Sequence, residues 1–475
     1  MNSHVSQALD AAKWFELHRE EFVADLCSLI NIKSVTEPTE TGPYPFGKGC
    51  AHVLDRALEI ARKAGLQTEN DDYHCGSALL MGETEEEIGI FTHLDVVPEG
   101  SGWEYEPYHA QERDGFVIGR GSSDNKGAAV CALYTLRYLL ETGHRFRHTI
   151  RIFFGCNEEA GMQDMDYFLR HHKQPVFSIV PDSRFAVCYG ERGILEAVIG
   201  TPLSSAFLKS FHAGQVSNMV PNLAEAILSG ISEEQLHPFF QNEDCIEIQP
   251  LSNGVKVVAH GISAHAADPD AGRNASQKLA AFLSRCDFLE SGVRSCLASL
   301  SLMFEQCHGE PFGIDYTDEI SGRITHAGGL TRFEDGHLTQ TINIRYPITM
   351  DRDFMKSSLE QSVAGFGFRI ESLRDSAPNY VSPDHPAVRL LHDLCNELLE
   401  GNHENYVMGG GTYARKLSCA VACGPGVLPR ISPFGEARGR GHQPDECVEL
   451  KVLKNGMCVY STALPELDRL LGKNP

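Results

Sequence analysis

The sequence contains no apolar run long enough to span a lipid bilayer, which takes about 20 consecutive residues in a helix. Its first residues are charged and amphipathic and lack the apolar core and cleavage site of an export signal, so we expect neither secretion nor membrane insertion. Basic residues are scarce: 41 lysines and arginines stand against 64 aspartates and glutamates, a formal charge of −23. Nucleic acids and anionic membranes attract basic faces, and this balance therefore argues against both as partners.

Fifteen cysteines occur, but they form no C-x-x-C pair and follow no regular spacing. An odd number scattered through a long chain is typical of reduced, mostly buried thiols, and it favours a cytoplasmic location. For the same reason we expect no structural zinc site ligated by cysteines. Repeats of fixed period and low-complexity segments are also missing. With 475 residues, 42% of them hydrophobic, the chain has room for two or three globular domains.

Up to about residue 190, short apolar runs alternate with stretches of helical periodicity. The runs EIGIFTHLD, HTIRIFFGCNEE and VFSIVPD are typical of buried strands in a parallel sheet. The stretch NKGAAVCALYTLRYLLETG between the first two predicts a crossover helix, with Asp124 as its N-cap and Gly143 just past its end. This alternation indicates an α/β domain, a mostly parallel sheet with flanking helices.

The pattern changes after residue 190. VKVVAHG predicts a strand, GRNASQKLAAFLSRC a helix, SGRITHAGG and LTQTINIRYP two strands, DRDFMKSSLEQSVAG a helix and FRIESLRD a last strand. The order βαββαβ is that of a ferredoxin-like α+β sandwich. We therefore expect an inserted lid domain at residues 191–380, which divides the α/β catalytic domain into residues 1–190 and 381–475.

Acidic and imidazole side chains stand where the predicted core strands end. They are His93 and Asp95 after the first strand, Glu158 and Glu159 after the second, Asp182 after the third, and Asp124 before the crossover helix. Ligands of open α/β sheets bind at the carboxyl ends of the strands, so these side chains should converge. Carboxylates that share a crevice repel one another unless a cation lies among them. Mixed imidazole and carboxylate ligands suit zinc, with manganese or cobalt possible.

Taken singly, each of these residues has an ordinary structural interpretation. Asp124 alone would be a helix cap, Asp182 a strand-end turn and the Glu158–Glu159 pair a solvated helix start. The joint pattern, an acid at each strand end in this order, is much more specific. It predicts a metal site large enough for two ions that share one carboxylate.

The segments HLDVVPEG, GRGSSDNKGA, CNEEAG and VPDS resemble the metal-site motifs of the aminoacylase, desuccinylase and carboxypeptidase G family of dinuclear metallopeptidases. GISAHAADPDAGRNA, TINIRYP, GGGTYAR and GHQPDE are similar to the peptidase V branch, which holds dipeptidases of the Xaa-His or β-Ala-Xaa (carnosinase-like) type. The similarity runs in order through almost the whole chain. It implies a dipeptidase that hydrolyses dipeptides with a free carboxyl end through a water bridging two divalent metals, most often Zn²⁺.

The resemblance also implies a role for each site residue. His93, Asp124 and Asp182 would hold one metal, and the bridging Asp124 with Glu159 and His442 the other. Asp95 would fix the ring of His93 by bonding its far nitrogen. Glu158 would be the general base.

In the lid, the resemblance implies that His265 stabilises the tetrahedral oxyanion. Arg345 would bind the substrate carboxylate, as a guanidinium fork can. Asn218, Gly410 and Gly411 would help to hold the substrate. Without the resemblance, His265 reads as a surface histidine and Arg345 as a solvated strand residue.

Two positions depart from the pattern of this family, which commonly has aspartate where this chain has Asn125 and Asn157. Neither is a direct ligand, but both can shift the metal preference. The resemblance also implies a cis peptide bond after Asp124. The segment of about residues 190–250 resembles that of monomeric members, so a monomer is expected.

Two other functions stay open on the sequence. An N-acyl amino acid deacylase or desuccinylase would use the same dinuclear chemistry, and it differs in the pocket for the N-terminal side of the substrate. A catalytically silent metal-binding homologue is disfavoured, because every expected ligand and Glu158 are present.

Overall fold

The structure, a computed structural model, describes residues 3–37, 39, 42–240, 244–435 and 438–472. The predicted domain limits at residues 1 and 475 lie outside these ranges. The chain divides into two compact units. Unit 1 comprises Met1–Gly190, Tyr380–Tyr406 and Gly411–Pro475, and unit 2 comprises Glu191–Asn379 and Val407–Gly410. Within the described residues, no helix combines the length and apolar character that a membrane crossing requires.

The α-helices follow one another along the chain with lengths from one turn to more than six. In chain order they are α1 (Ser3–Ile30), α2 (Lys48–Lys63), α3 (Lys126–Glu141), α4 (Gln163–His171), α5 (Glu233–Leu236), α6 (Ala275–Ser284), α7 (Ser291–Met303), α8 (Arg352–Gly365), α9 (Pro386–Leu398) and α10 (Leu450–Leu471). Short 3₁₀ helices lie at His237–Phe239, Pro269–Ala271, Glu310–Phe312 and Tyr413–Lys416.

The strands are numbered in the same order. Those before residue 192 are β1 (Gln67–Asp71), β2 (Cys75–Leu80), β3 (Glu87–His93), β4 (Gln111–Arg113), β5 (Phe116–Ile118), β6 (Thr149–Gly155), β7 (Phe177–Val180), β8 (Ser183–Arg184) and β9 (Val187–Glu191). The next are β10 (Gly193–Pro202), β11 (Leu208–Ala213), β12 (Met219–Val220), β13 (Leu223–Ser229), β14 (Ile246–Leu251), β15 (Gly254–His260), β16 (Ala264–His265), β17 (Thr317–Asp318), β18 (Gly322–Arg323), β19 (Thr325–Glu334), β20 (His337–Tyr346), β21 (Arg369–Ser376) and β22 (Asn379–Tyr380). The last are β23 (Tyr406–Met408), β24 (Ala420–Cys423), β25 (Pro425–Gly426) and β26 (Cys447–Glu449).

The main sheet of unit 1 has the order β1-β2-β6-β3-β7-β24-β9, with β22 beyond β9. Its centre, β6-β3-β7-β24, is parallel, and the strands on either side run antiparallel. Strands β6 and β7 are buried along their whole length. Helix α3 packs near β3 and β6 and also against α1 and α10. The predicted α/β architecture with a parallel sheet is confirmed.

The predicted crossover helix is α3, but its N-cap is Asn125 rather than Asp124. That prediction was wrong because the carboxylate of Asp124 bonds to two histidines instead of to the first turn of the helix. Gly143 lies just past the helix end with φ of +76°, as expected. The Asp124–Asn125 peptide bond is cis, as the resemblance predicts.

The large sheet of unit 2 has the order β14-β15-β13-β11-β19-β20-β10-β21. Its β19-β20-β10-β21 part, with the helices between them, has the antiparallel arrangement of a ferredoxin-like sandwich. The sequence analysis predicted VKVVAHG as the first strand of that sandwich, and this prediction was wrong. VKVVAHG forms β15 in an extension of the sheet. The first strand is β10, whose buried and part-exposed residues alternate. Alternation identifies both segments as strands but leaves open which partner each one takes.

Gly193 of β10 lies against the ring of Tyr346 on β20. A Cβ at Gly193 would come within 2.0 Å of that ring, and the ring is buried and held by its hydroxyl, which donates to Asp375 at 2.7 Å. We therefore expect Gly193→Ala to lower the free energy of unfolding of unit 2 by about 1–3 kcal/mol through overpacking. The shift of the urea unfolding midpoint measures it.

Gly365 gives the matched control. It ends α8, and a Cβ there meets nothing within 4 Å. Gly365→Ala should leave the midpoint unchanged or raise it slightly, because alanine favours the helix. Equal midpoints for the Gly193→Ala variant and the wild type would contradict the close packing.

Candidate functional site

The parallel centre of the unit 1 sheet brings the predicted site residues together. His93 is the last residue of β3, and Asp95 follows two residues later. Glu158 and Glu159 come after β6, and Asp182 comes after β7. Because these strands are parallel neighbours, their carboxyl ends lie at one edge of the sheet.

His93 and two aspartates form the first part of the site. The His93 Nε2 atom lies 3.0 Å from Asp124 Oδ1 and 3.8 Å from Asp182 Oδ2. The His93 ring is 1% exposed. One imidazole nitrogen thus faces two carboxylates in a setting from which water is largely excluded.

His442, from the C-terminal segment, forms the second part. Its Nε2 atom lies 2.8 Å from Glu159 Oε1 and 3.2 Å from Asp124 Oδ2. The backbone at His442 has φ of +67°, and a Cβ on the preceding Gly441 would lie 3.1 Å from Asp124. The chain therefore passes close to Asp124. The two oxygens of Asp124 face different histidines.

The ionisation of these groups shows how strongly they interact. Burial raises the pKa of Asp182 to about 7 and the pKa of Glu158 well above its usual range, with nearby carboxylates adding to both shifts. Hydrogen bonds with Asp124 and Glu159 raise the pKa of His442 to about 11. Burial opposes the charge on Asp124, but hydrogen bonds with His442 and His93 lower its pKa below the usual value.

Crowded carboxylates of this kind suit a divalent cation. One ligand atom each from His93, Asp124 and Glu159 lie within 4.8 Å of one another. Imidazole and carboxylate oxygen are ligands that zinc, manganese and cobalt accept. These residues can therefore bind a metal ion.

Asp95 links the strand ends. Its Oδ1 accepts a hydrogen bond from the main-chain N–H of Glu158 and its Oδ2 accepts one from Glu159, both at 3.1 Å. The Nδ1 atom of His93 lies 3.0 Å from the main-chain oxygen of Asp95 and 3.5 Å from its carboxylate. Asp95 thus fixes the acidic pair after β6 as well as the imidazole of His93.

Both asparagines that depart from the family pattern have structural partners. Asn125 Nδ2 donates to Asp182 Oδ1 at 3.0 Å and to the Pro181 carbonyl at 2.8 Å. An aspartate could not donate these bonds. Asn157 Oδ1 accepts from the main-chain N–H of Gln163 at 2.9 Å. Asn125 therefore orients a candidate ligand, whereas Asn157 shapes the loop that follows β6.

Several supporting residues were not found from the sequence. The buried Glu446 accepts hydrogen bonds from the main chain of Ser123 and Asp124 at 2.9 and 3.0 Å, and it pairs with the buried Arg120 at 2.7 Å. Glu446 ends the GHQPDE segment that supplies His442. The only signal of Glu446 in the sequence is its place within the GHQPDE motif, because its burial appears only in the structure.

Asp164 supports the loop that follows β6. Its Oδ2 accepts from the main chain of Cys156 and Asn157 at 2.8 and 2.9 Å, and the hydroxyl of Tyr413 also donates to it. A Cβ on Gly155 would collide with that hydroxyl. Tyr413 belongs to GGGTYAR, so the glycine-rich segment reaches the Glu158 loop within unit 1.

His265 lies in unit 2, on β16, which pairs with β12 so that His265 faces Met219. The main-chain N–H of Ala267 donates to His265 Nδ1 at 3.1 Å. Because Nδ1 accepts this bond, the neutral ring carries its proton on Nε2. The Nε2–H group is thus a hydrogen-bond donor.

Arg345, Asn218 and Gly410 also lie in unit 2, whereas Gly411 lies in unit 1. Arg345 is buried on β20, and its guanidinium donates to Asn343 Oδ1 at 2.9 Å and to the Gly409 carbonyl at 3.0 Å. The main-chain oxygen of Asn218 accepts from Ala266 at 2.9 Å, next to His265. Within unit 2, Arg345 adjoins the glycine-rich turn, and Asn218 adjoins the histidine strand.

Residues 89–466 match the model of the Peptidase family M20/M25/M40. The chain belongs to this family and is therefore a hydrolase. YtjP of Bacillus subtilis (strain 168), named provisionally as a dipeptidase, is 31% identical over 462 residues that cover 94% of this chain and 97% of YtjP. The β-Ala-Xaa dipeptidase of Lactobacillus delbrueckii subsp. lactis is 27% identical over 468 residues, 96% of this chain and 97% of the dipeptidase.

Two solved structures share the fold. Human carnosine dipeptidase 1 superimposes with a TM-score of 0.58 at 14% identity, covering 97% of this chain and 100% of that chain. The di-peptidase Dug1p of Saccharomyces cerevisiae gives a TM-score of 0.60 at 12% identity, covering 98% and 99%. At these identities the likeness concerns the fold alone. The predicted family and fold class are confirmed.

The role of Asp95 in joining the strand ends can be tested by Asp95→Asn. The asparagine side chain has only one acceptor oxygen for the two main-chain N–H groups. Its amide N–H group would face the second main-chain N–H, which then has no acceptor. We expect metal affinity to fall about 10–100-fold, the usual effect of losing a partner that orients ligands. Competition with a chromogenic chelator measures the affinity.

Thr36→Val is the matched control. The Thr36 hydroxyl donates to Asp95 Oδ2 at 3.3 Å and to the Cys156 carbonyl at 3.1 Å. Its loss leaves both main-chain bonds to Asp95 intact, so the affinity should change far less. An Asp95→Asn variant that binds metal as tightly as the wild type would rule out the linking role.

Proposed function

We propose that this chain is a metal-dependent dipeptidase that hydrolyses the peptide bond of dipeptides with a free C-terminal carboxylate. The main support is the position of Asp124, whose two carboxylate oxygens face different histidines, His93 and His442. That arrangement suits a carboxylate shared by two ions. The dipeptidase names of relatives that align over nearly their whole length support the substrate class.

We assign two ligand sets. His93, Asp124 and Asp182 would hold one ion, and Asp124, Glu159 and His442 the other. The donor atoms are imidazole nitrogen and carboxylate oxygen, which favours Zn²⁺ and also accommodates Mn²⁺ or Co²⁺. Two such ions, when bound, polarise a carbonyl and lower the pKa of water.

The protein residues handle the protons and the charge. Glu158, half-buried beside the ligands, would accept a proton from the attacking water and pass it to the leaving amine nitrogen. Burial gives its carboxyl a raised pKa, which suits a group that must both take and release a proton. Nε2–H of His265 would donate to the oxyanion as the carbonyl carbon becomes tetrahedral.

The substrate ends need separate recognition. Arg345 would bind the free carboxylate, since a guanidinium group offers paired N–H donors to both carboxylate oxygens. Asn218 and the main chain at Gly410 and Gly411 would hold the rest of the dipeptide. A longer or amidated substrate would lack a carboxylate at the position that Arg345 serves.

We further propose a cytoplasmic monomer. All fifteen cysteines are free thiols, a state that reducing compartments maintain. The proposal of a monomer is based on the resemblance of residues 190–250 to the same segment of monomeric family members. Residues 241–243 of this segment lie outside the described residues. Size-exclusion chromatography with light scattering would test it.

The proposed function predicts a specific order of substrates. Protein stripped of metal and reconstituted with zinc, manganese or cobalt should turn over free dipeptides much faster than dipeptide amides or N-acyl amino acids. A preference for N-acyl amino acids would identify a deacylase instead. Stoichiometric metal with no turnover of any of these substrates would identify a silent homologue.

Glu158 and His265 act on protons and charge, so their loss should lower kcat without changing metal content. Glu158→Gln keeps the shape but cannot accept a proton, and kcat should fall about 10²–10⁴-fold. His265→Ala removes a donor to the oxyanion, and kcat should fall about 10²–10³-fold. Steady-state kinetics and elemental analysis of each variant measure the two quantities.

Two exposed residues serve as matched controls. Glu85 lies in the bend before β3, and His260 at the end of β15 bonds to Glu247 at 3.2 Å. Glu85→Gln and His260→Ala should keep wild-type kcat. If Glu158→Gln keeps the wild-type kcat, Glu158 is not the general base. If His265→Ala loses metal, His265 is a metal ligand.

A further inference from the structure

A second group of metal-binding side chains lies in unit 2, apart from the residues assigned above. One ligand atom each from Asp270, Cys307 and His308 lie within 4.8 Å of one another. Cys307 Sγ is 3.2 Å from Asp270 Oδ1, and His308 Nε2 is 3.0 Å from Asp270 Oδ2. Ligand atoms around a tetrahedral zinc ion are separated by roughly 3.3–3.7 Å, given bond lengths of ~2.0–2.3 Å. Small side-chain shifts would therefore suffice to bind one ion.

The tautomer of His308 strengthens this interpretation. Its Nδ1 atom lies 2.9 Å from the main-chain oxygen of Ile324. A carbonyl oxygen can only accept, so Nδ1 carries a proton and the neutral ring turns the lone pair of Nε2 toward the Asp270 carboxylate. Two acceptors at 3.0 Å repel unless a proton or a cation lies between them. A backbone carbonyl on the far nitrogen is also the usual support of a metal-binding histidine.

The surrounding backbone is well held. The main-chain N–H of His308 donates to Glu310 at 2.9 Å, and the main-chain oxygen of Cys307 accepts from His326 at 2.8 Å. His308 is 19% exposed and Asp270 63% exposed, so an ion can enter from solvent. Together, Cys307 and His308 give a fixed pair of donors, and Asp270 supplies the third from a separate segment.

We propose that Asp270, Cys307 and His308 form a further binding site for one divalent cation of the zinc class, with solvent as the fourth ligand. Thiolate, imidazole and carboxylate are the three protein donors that zinc uses most often. Cysteine spacing could not reveal this site, because only one of its ligands is a cysteine. The site does not depend on the proposed dipeptidase activity.

The position of the site suggests what the ion would do. Asp270 and His265 lie in one loop, closed at its base by paired hydrogen bonds of 2.9 Å between Ile262 and Arg273. Cys307 and His308 adjoin the start of β19. An ion shared by the two segments would fasten the loop that carries His265 to the sheet of unit 2.

Cobalt substitution tests the site by a signal that the catalytic ligands cannot produce. A cysteine thiolate bound to Co²⁺ gives a near-ultraviolet charge-transfer band, whereas all the ligands assigned to the unit 1 site are imidazoles and carboxylates. The chelator-stripped full-length protein, titrated with Co²⁺, should develop this band and bind one more ion than Cys307→Ser. Cys307→Ser should lose the band, and Cys296→Ser, which changes a half-buried cysteine of α7, should keep it.

Asp124→Ala separates the two sites. This variant should lose ions from unit 1 and keep the thiolate band, whatever the enzyme's activity proves to be. Zn²⁺ should raise the Tm of Asp124→Ala but not that of Asp124→Ala combined with Cys307→Ser. If Cys307→Ser does not fold, His308→Gln serves instead and should weaken the band. No charge-transfer band at saturating Co²⁺, or a band that persists in a folded Cys307→Ser variant, would overturn the proposal.

Discussion

The geometry of the unit 1 site depends on the two hydrogen bonds that the Asp95 carboxylate accepts from the main chain of Glu158 and Glu159. Asp95 follows β3 and the acidic pair follows β6, so these bonds join the ends of adjacent parallel strands. The same residue holds His93 through its main-chain oxygen. One buried residue thereby sets the distance between an imidazole and two acids. Without such support, mutual repulsion would push the acids apart.

A second layer of support comes from the C-terminal segment. Glu446 bonds to the main chain at Asp124, and Tyr413 bonds through Asp164 to the loop after β6. Both residues are buried. The segment that contributes His442 therefore also fixes the backbone at candidate ligands that lie far away in the sequence. This explains why recognisable motifs of the N-terminal and C-terminal segments meet at one place.

The sequence predicted the parts of the molecule that depend on local pattern. Apolar runs ending in polar residues identified β3, β6 and β7, and parallel pairing then required His93, Glu159 and Asp182 to converge. The parts that depend on distant pairing were not predictable in this way. VKVVAHG and the β10 segment are equally good strands, and only the packed sheet distinguishes their partners.

The sequence also could not predict which distant partners the polar side chains bind. Aspartate is one of the residues preferred at helix N-caps. The carboxylate of Asp124 instead pairs with the imidazoles of His93 and His442 and not with the first turn of α3. Helices α6 and α7 separate Asp270 from the adjacent Cys307 and His308, so these three residues match no spacing rule. Asp164 and Glu446 look like ordinary acids until the backbone N–H groups that they accept from are located. Each of these features belongs to the folded state and has no counterpart in a linear pattern.

The order of the strands in the unit 1 sheet also governs how the chain can fold during synthesis. Strand β24 pairs with β7 in the parallel centre of the sheet, yet all of unit 2 is translated between the two. At typical translation rates, the synthesis of β24 follows that of β7 by on the order of tens of seconds. During this time β7 would be an open edge of the sheet. Exposed edges of apolar strands invite pairing with other chains. Unit 1 therefore has to remain protected from aggregation until the ribosome has delivered residues 420–423.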